Sequence, residues 1–156
     1  MEYEAKSIGE LNVVAGEFLR LLEQREEKNT ATVIGLSGNL GTGKTSFTKC
    51  VAEILAITEV ITSPTFILEK IYDISPDSIL GSRFAKLVHI DAYRLEGGDE
   101  MVPLGWEAIL GEPHNLVFLE WPEQVASALP QDIDTILFEY VSESVRKITM
   151  KEYGKK

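Results

Sequence analysis

Gly38-Asn39-Leu40-Gly41-Thr42-Gly43-Lys44-Thr45 has the spacing G-x-x-x-x-G-K-[ST], and each part of that spacing has a chemical use. The glycines let backbone N–H groups approach a phosphate closely. The lysine adds a point charge at the β- and γ-phosphates, and the hydroxyl after it reaches a magnesium ion. The run before the motif, Ala31 to Ser37 (ATVIGLS), is apolar and β-branched, as a buried strand is. The run after it, Thr45 to Leu55, places Phe47, Val51, Ile54 and Leu55 at helical spacing. A glycine-rich turn between a strand and a helix directs its amides at the positive end of that helix, which favours an anion. The expected cofactor contacts are Gly38, Asn39, Leu40, Gly41, Thr42, Gly43, Lys44, Thr45 and Ser46, and the expected cofactors are ATP and Mg2+.

A triphosphatase also needs an acid near its metal and a group that positions water. Two candidates stand at strand ends: Asp91 after Lys86 to Ile90, and Glu120 after Leu116 to Leu119. In open α/β sheets ligands lie beyond the carboxyl ends of the strands, so both should share an edge with the loop. Four apolar residues precede Glu120, whereas His89 interrupts the run before Asp91. Glu120 is therefore the expected magnesium acid, and Asp91 an acid that either supports the metal site from behind its direct contacts or positions water, with capping of the following segment as the plainer role for each. Thr65, in Thr62-Ser63-Pro64-Thr65-Phe66, stands where phosphate-loop proteins place a segment that senses the γ-phosphate; an ordinary turn around Pro64 is the alternative. Catalytic roles are thus expected for Lys44, Thr65, Asp91 and Glu120, and metal contacts for Thr45 and Glu120. His89 reads as a strand histidine hydrogen-bonded in place, and His114 as exposed. Trp121 either stacks near the nucleotide or packs in the core. Arg94 and Arg146 are the arginines best placed for a nucleotide, a surface salt bridge being the plainer reading of either.

Holding these groups requires a sheet and its covering helices. Leu11, Val14, Ala15, Phe18, Leu21 and Leu22 predict an amphipathic helix from Glu10 to about Glu27, its charged tail facing water. Phe66 to Tyr72 and Lys86 to Ile90 read as hairpin strands joined by a surface connection. A helix covers much of Asp99 to Leu110, with Pro103 either in its first turn or dividing a short turn from a helix that begins near Leu104. Asn115 to Leu119 is a strand, Glu123 to Leu129 a short helix, and Thr135 to Tyr140 with Arg146 to Glu152 a terminal strand pair. The fold class that follows is α/β: a P-loop NTPase-like three-layer fold with a mixed, largely parallel central sheet. The 156 residues form one ATPase domain, 1–156.

Fifteen basic against 25 acidic residues leave a formal charge of −10, which opposes independent binding of nucleic acid or an anionic membrane. No apolar run approaches the roughly 20 residues that span a bilayer, and the first ten residues lack a secretory pattern, so the expected location is cytoplasmic. One cysteine, Cys50, excludes an internal disulfide and reads as a small core residue.

Four segments in order, SGNLGTGKTSF at Ser37 to Phe47, TSPTF at Thr62 to Phe66, HIDAYRL at His89 to Leu95 and LEWPE at Leu119 to Glu123, make the chain resemble the TsaE (YjeE) family. That is the small ATPase of bacterial tRNA threonylcarbamoyladenosine synthesis. The resemblance implies a slow ATPase that works with the TsaB and TsaD proteins and meets tRNA only through that complex. It makes Thr45 and Glu120 the magnesium contacts, gives Arg146 a nucleotide role, and makes Thr65, Asp91 and Trp121 important for hydrolysis. The family often has Asp where Asn39 stands and Thr near Asn12, where the N-terminal segment approaches the base. The connection from Tyr72 to Arg83 is longer than usual and reads as a tolerant surface loop.

An ATP-hydrolysing accessory subunit is the function these readings favour. A small-molecule kinase is the rival, opposed by the absence of room for an arginine-bearing lid. A nucleotide-binding switch without turnover is the third.

Overall fold

The computed structural model describes residues 1–62 and 68–152. Its elements in chain order are β1 (Glu2–Ala5), α1 (Ile8–Glu23), β2 (Thr32–Ser37), α2 (Lys44–Ile54), β3 (Glu69–Asp73), β4 (Lys86–Asp91), a 3-10 segment (Gly98–Leu104), α3 (Trp106–Leu110), β5 (Asn115–Glu120), a second 3-10 segment (Pro122–Ala128), β6 (Asp134–Tyr140) and β7 (Arg146–Lys151). Among the described residues the seven strands form one sheet in the order β1-β7-β6-β2-β5-β4-β3. The central strands β6, β2, β5 and β4 run parallel, and β1, β7 and β3 pair antiparallel with their neighbours.

Strand alternation divides the apolar residues between two cores. Ile34, Leu36, Leu116, Phe118, Ile136 and Phe138 face α1 and α2, whereas Val33, Val88, Ile90, Val117 and Leu119 face α3 and the 3-10 segments. The three-layer α/β architecture expected from the sequence is therefore present. Phe47 of α2 meets Phe18 of α1 edge-on at 5.8 Å and Phe118 of β5 at 6.2 Å, which seats the helix after the glycine loop on the sheet. Cys50 is buried on the same helix, and burial pushes its thiol pKa up, as suits a core residue. Among the described residues no helix is long and apolar enough to cross a membrane.

Three local expectations need correction. The strand β1 was not expected: Glu2-Tyr3-Glu4-Ala5 has little strand character of its own and takes its conformation from pairing with Arg146 to Thr149 on β7. Helix α1 begins and ends earlier than its apolar spacing suggested. Ser7 caps it by accepting the Glu10 N–H at 3.1 Å, and Glu10 accepts the Lys6 N–H in return. At its other end the Arg83 guanidinium donates to the carbonyls of Leu22, Arg25 and Glu26 at 2.5, 2.8 and 2.8 Å, so the chain leaves the helix where the charged tail begins. The supposed surface connection after β3 is in fact anchored, with Ile74, Leu80 and Phe84 buried in the core. Around Pro103 the second of the two alternatives holds: a 3-10 stretch ends at Leu104, and Gly105, at φ +74°, separates it from α3, which begins at Trp106. The expected strand start at Phe66 lies outside the described residues.

Candidate nucleotide site

Strand β2 ends at Ser37 and the loop leaves it through Gly38, whose φ is +146°. A β-carbon there would lie 2.5 Å from the Phe138 carbonyl oxygen of β6, so this position needs glycine for space as well as for conformation. Helix α2 starts at Lys44, and its first backward bond runs from the Phe47 N–H to the Gly43 carbonyl. The amides of Lys44, Thr45 and Ser46 therefore lie outside the helical ladder, at the positive end of an 11-residue helix. The Lys44 side chain is buried and folds back over the loop: Nζ donates to the carbonyls of Gly38 at 2.5 Å and Asn39 at 3.0 Å. Burial pushes its pKa below the ordinary lysine value, while the carboxylates of Glu120, Asp91 and Glu123 pull it back up.

Both acids stand at the ends of paired strands. Asp91 and Glu120 are in register across β4 and β5, and Leu36 of β2 is in register with Glu120, so loop and acids share one edge. Asp91 Oδ1 accepts the Tyr93 N–H at 2.9 Å, which caps the following turn, and the residue also lines the cavity described below. Glu120 is nearly fully buried, and its Oε2 lies 2.6 Å from His89 Nε2. The expected strand histidine thus has a specific partner, and that partner is the expected magnesium acid. After Glu120 the chain turns sharply. Trp121 has a left-handed backbone, φ +60° and ψ +52°, which a bulky residue adopts at a cost of about 1–3 kcal/mol. This turn lays its indole 4.6 Å from Lys44 Nζ and 5.0 Å from the Tyr93 ring.

Around these groups lies a cavity of about 410 Å³, within the range of small-molecule sites. Its walls are the loop from Leu40 to Ser46, the acids with Trp121, the start of α1 (Ser7, Ile8, Leu11) and the β6–β7 turn (Glu143, Ser144, Arg146). Of the loop residues, Gly38 and Asn39 are set back from the lining and direct their carbonyls to Lys44. Asn12 is not in the wall, because one residue past Leu11 turns it about 100° around the helix. Sequence reasoning missed the wall residues Ala5, Ser7, Ile8 and Leu11 at one side and Glu143 and Ser144 at the other; the S-x-x-E cap at Ser7 was the available signal for where the helix begins. Arg146 donates to the carbonyls of Ser142 at 2.6 Å and Gly41 at 3.4 Å, tying the β6–β7 turn to the loop. Arg94 is exposed and outside the lining, and Thr65 lies outside the described residues.

A sequence model of the family "Threonylcarbamoyl adenosine biosynthesis protein TsaE" matches residues 7–148. The chain belongs to the TsaE family. It is similar to the tRNA threonylcarbamoyladenosine biosynthesis proteins TsaE of Bacillus subtilis, at 36% identity over 78% of this chain and 70% of that one, and of Treponema pallidum, at 36% identity over 84% and 85%. The crystal structure of Bacillus subtilis YdiB superposes with a TM-score of 0.72 at 27% identity, covering 99% of this chain and 86% of that chain. The TsaE match takes in the loop, both acids, Trp121 and Arg146.

Among the described residues no three His, Cys, Asp or Glu side chains cluster as a metal cage. Magnesium at a triphosphate does not need one, since it uses one or two protein oxygens and takes the rest from phosphate and water. Thr45, Asp91 and Glu120 line one cavity and supply hard oxygen donors only, a set that fits such an ion in this TsaE-family chain.

Proposed function

We propose that this chain is an ATP-hydrolysing accessory subunit of the tRNA threonylcarbamoyladenosine machinery, using ATP and Mg2+ to drive or reset a TsaB–TsaD complex. One observation carries the reading: the N-terminus of α2, Lys44, Asp91 and Glu120 converge on a single cavity of about 410 Å³. The amides at the start of α2 bind the phosphates, and Lys44 turns from the Gly38 and Asn39 carbonyls to the β- and γ-phosphates. Thr45 and Glu120 hold magnesium, which screens charge on the phosphates. Asp91 positions the attacking water, and Trp121 walls off the site where Lys44 sits. Arg146, bonded to the loop through Gly41, carries the nucleotide state to the β6–β7 turn. The charge of −10 supports a chain that meets tRNA through its partners.

The test is ATP hydrolysis by the purified chain with TsaB and TsaD. Lys44→Ala and Glu120→Ala are each expected to lower it at least about 100-fold, as loss of electrostatic stabilisation at a transition state does. Hydrolysis retained in both variants would overturn the reading. Phosphate transfer to a metabolite without partners would replace it with a kinase.

A further inference from the structure

His89 sits on β4 two residues before Asp91, in register with Phe118, and so faces the same side of the sheet as Glu120 on β5. Its ring is fully buried, and among the described residues its polar contact is the 2.6 Å bond from Nε2 to Glu120 Oε2. An ionised carboxylate can only accept, so Nε2 carries the hydrogen and donates it. Nδ1 is buried without a hydrogen-bond partner among the described residues. A bare lone pair tolerates that position better than an N–H would, because an orphaned buried donor loses its full solvation. Both nitrogens therefore select the same tautomer, with the hydrogen on Nε2.

A purely structural role does not account for this ring. On its face of the sheet His89 has Leu87 and Phe118 beside it, with Asp91 two residues on and Lys70 opposite on β3, and an apolar side chain would fill the slot without leaving Nδ1 unsatisfied. What histidine adds is a rigid donor that occupies one oxygen of Glu120 and leaves Oε1 for the cavity that Glu120 lines. We propose that His89 is a positioning residue: it holds the Glu120 carboxylate in one orientation, through Oε2, so that Oε1 meets the magnesium or its bound water. The inference rests on Glu120 being the metal-holding acid of the proposed function.

The test uses the full chain with His89→Leu, His89→Gln and, as control, Glu120→Gln. The chain has two histidines, so long-range 1H–15N spectra of the imidazoles resolve His89 readily. The Nε2–H tautomer is expected, and the Nδ1–H tautomer would overturn the inference whatever the variants do. Calorimetric titration with ATP, with and without Mg2+, gives a readout separate from hydrolysis. His89→Leu is expected to bind ATP alone as the wild type does, yet to lose about 10–100-fold in the Mg2+-dependent step or in kcat, the usual cost of removing a partner of a metal ligand. His89→Gln, which keeps an N–H donor, should recover most of that loss. Wild-type Mg2+ dependence and kcat in His89→Leu, or equal loss in the Leu and Gln variants, would overturn the inference. If instead Glu120→Gln keeps both Mg2+ dependence and hydrolysis, the reading of Glu120 fails and this inference fails with it.

Discussion

The Lys44 ammonium lies 4.6 Å from the centre of the Trp121 ring while donating to the carbonyls of Gly38 and Asn39. The cation is held by neutral partners, with three carboxylates nearby, and a triphosphate would have to draw it away from those carbonyls. Burial is the largest influence on its pKa and lowers it from 10.5. Over the window between the lowered value and 10.5 the unfolded chain binds the proton more tightly, so stability rises with pH there. Lys44→Met should lose that rise. Thermal melts of the nucleotide-free protein between pH 7 and 10.5 check it, and parallel pH profiles for wild type and variant would contradict it.

Glu69 gives the opposite slope. Burial raises its carboxyl pKa from 4.5, and its Oε2 finds no hydrogen-bond partner among the described residues. A carboxyl raised in the folded state destabilises fully above the folded pKa, and the penalty disappears as pH falls through that value to 4.5. Glu69→Gln should therefore raise Tm at pH 7 by on the order of 1–3 °C, with the gain shrinking toward pH 4.5. A pH-independent difference would mean that charge is not the cause.

Arg83 ties the connection after β3 to the end of α1 through three backbone carbonyls. Arg83→Ala should cost about 2–3 kcal/mol, since hydrogen bonds from charged donors are worth about 1.5–3 each and water replaces part of them. For a chain of this size that lowers Tm by about 4–10 °C. Arg83→Lys, with no planar fork, should restore only part. An unchanged melt for Arg83→Ala would show that the connection is held by Leu80 and Phe84 alone.

The sequence made the loop and both acids legible because their signals are local. Glycine spacing, an apolar strand and a carboxylate at its end lie within a few residues of each other. The strand β1 was not legible, since Glu2 to Ala5 is a strand only because β7 lies beside it. Nor was the bond between His89 and Glu120, which joins residues 31 apart; the hint was that His89 and Asp91 share a strand face. Spacing on α1 identified its buried side, but its ends are set by Ser7 and by the distant Arg83. The reading of Tyr72 to Arg83 as a surface loop failed for a similar reason: Ile74 and Leu80 are too widely spaced to show any periodicity, yet both are buried, as is Phe84 just beyond.

The cavity has one wall from residues 5–11 and another from residues 143–146, and the two ends of the chain pair in the sheet, with the Met150 N–H donating to the Met1 carbonyl at 2.8 Å. The glycine loop is only one side of a chamber closed by the first and last parts of the chain. A ribosome that has finished the loop, α2 and both acids has therefore not yet made a nucleotide site. A polypeptide without residues 1–11 or 143–152 would keep every residue of the Gly38 to Thr45 motif and lose a wall of the chamber around it.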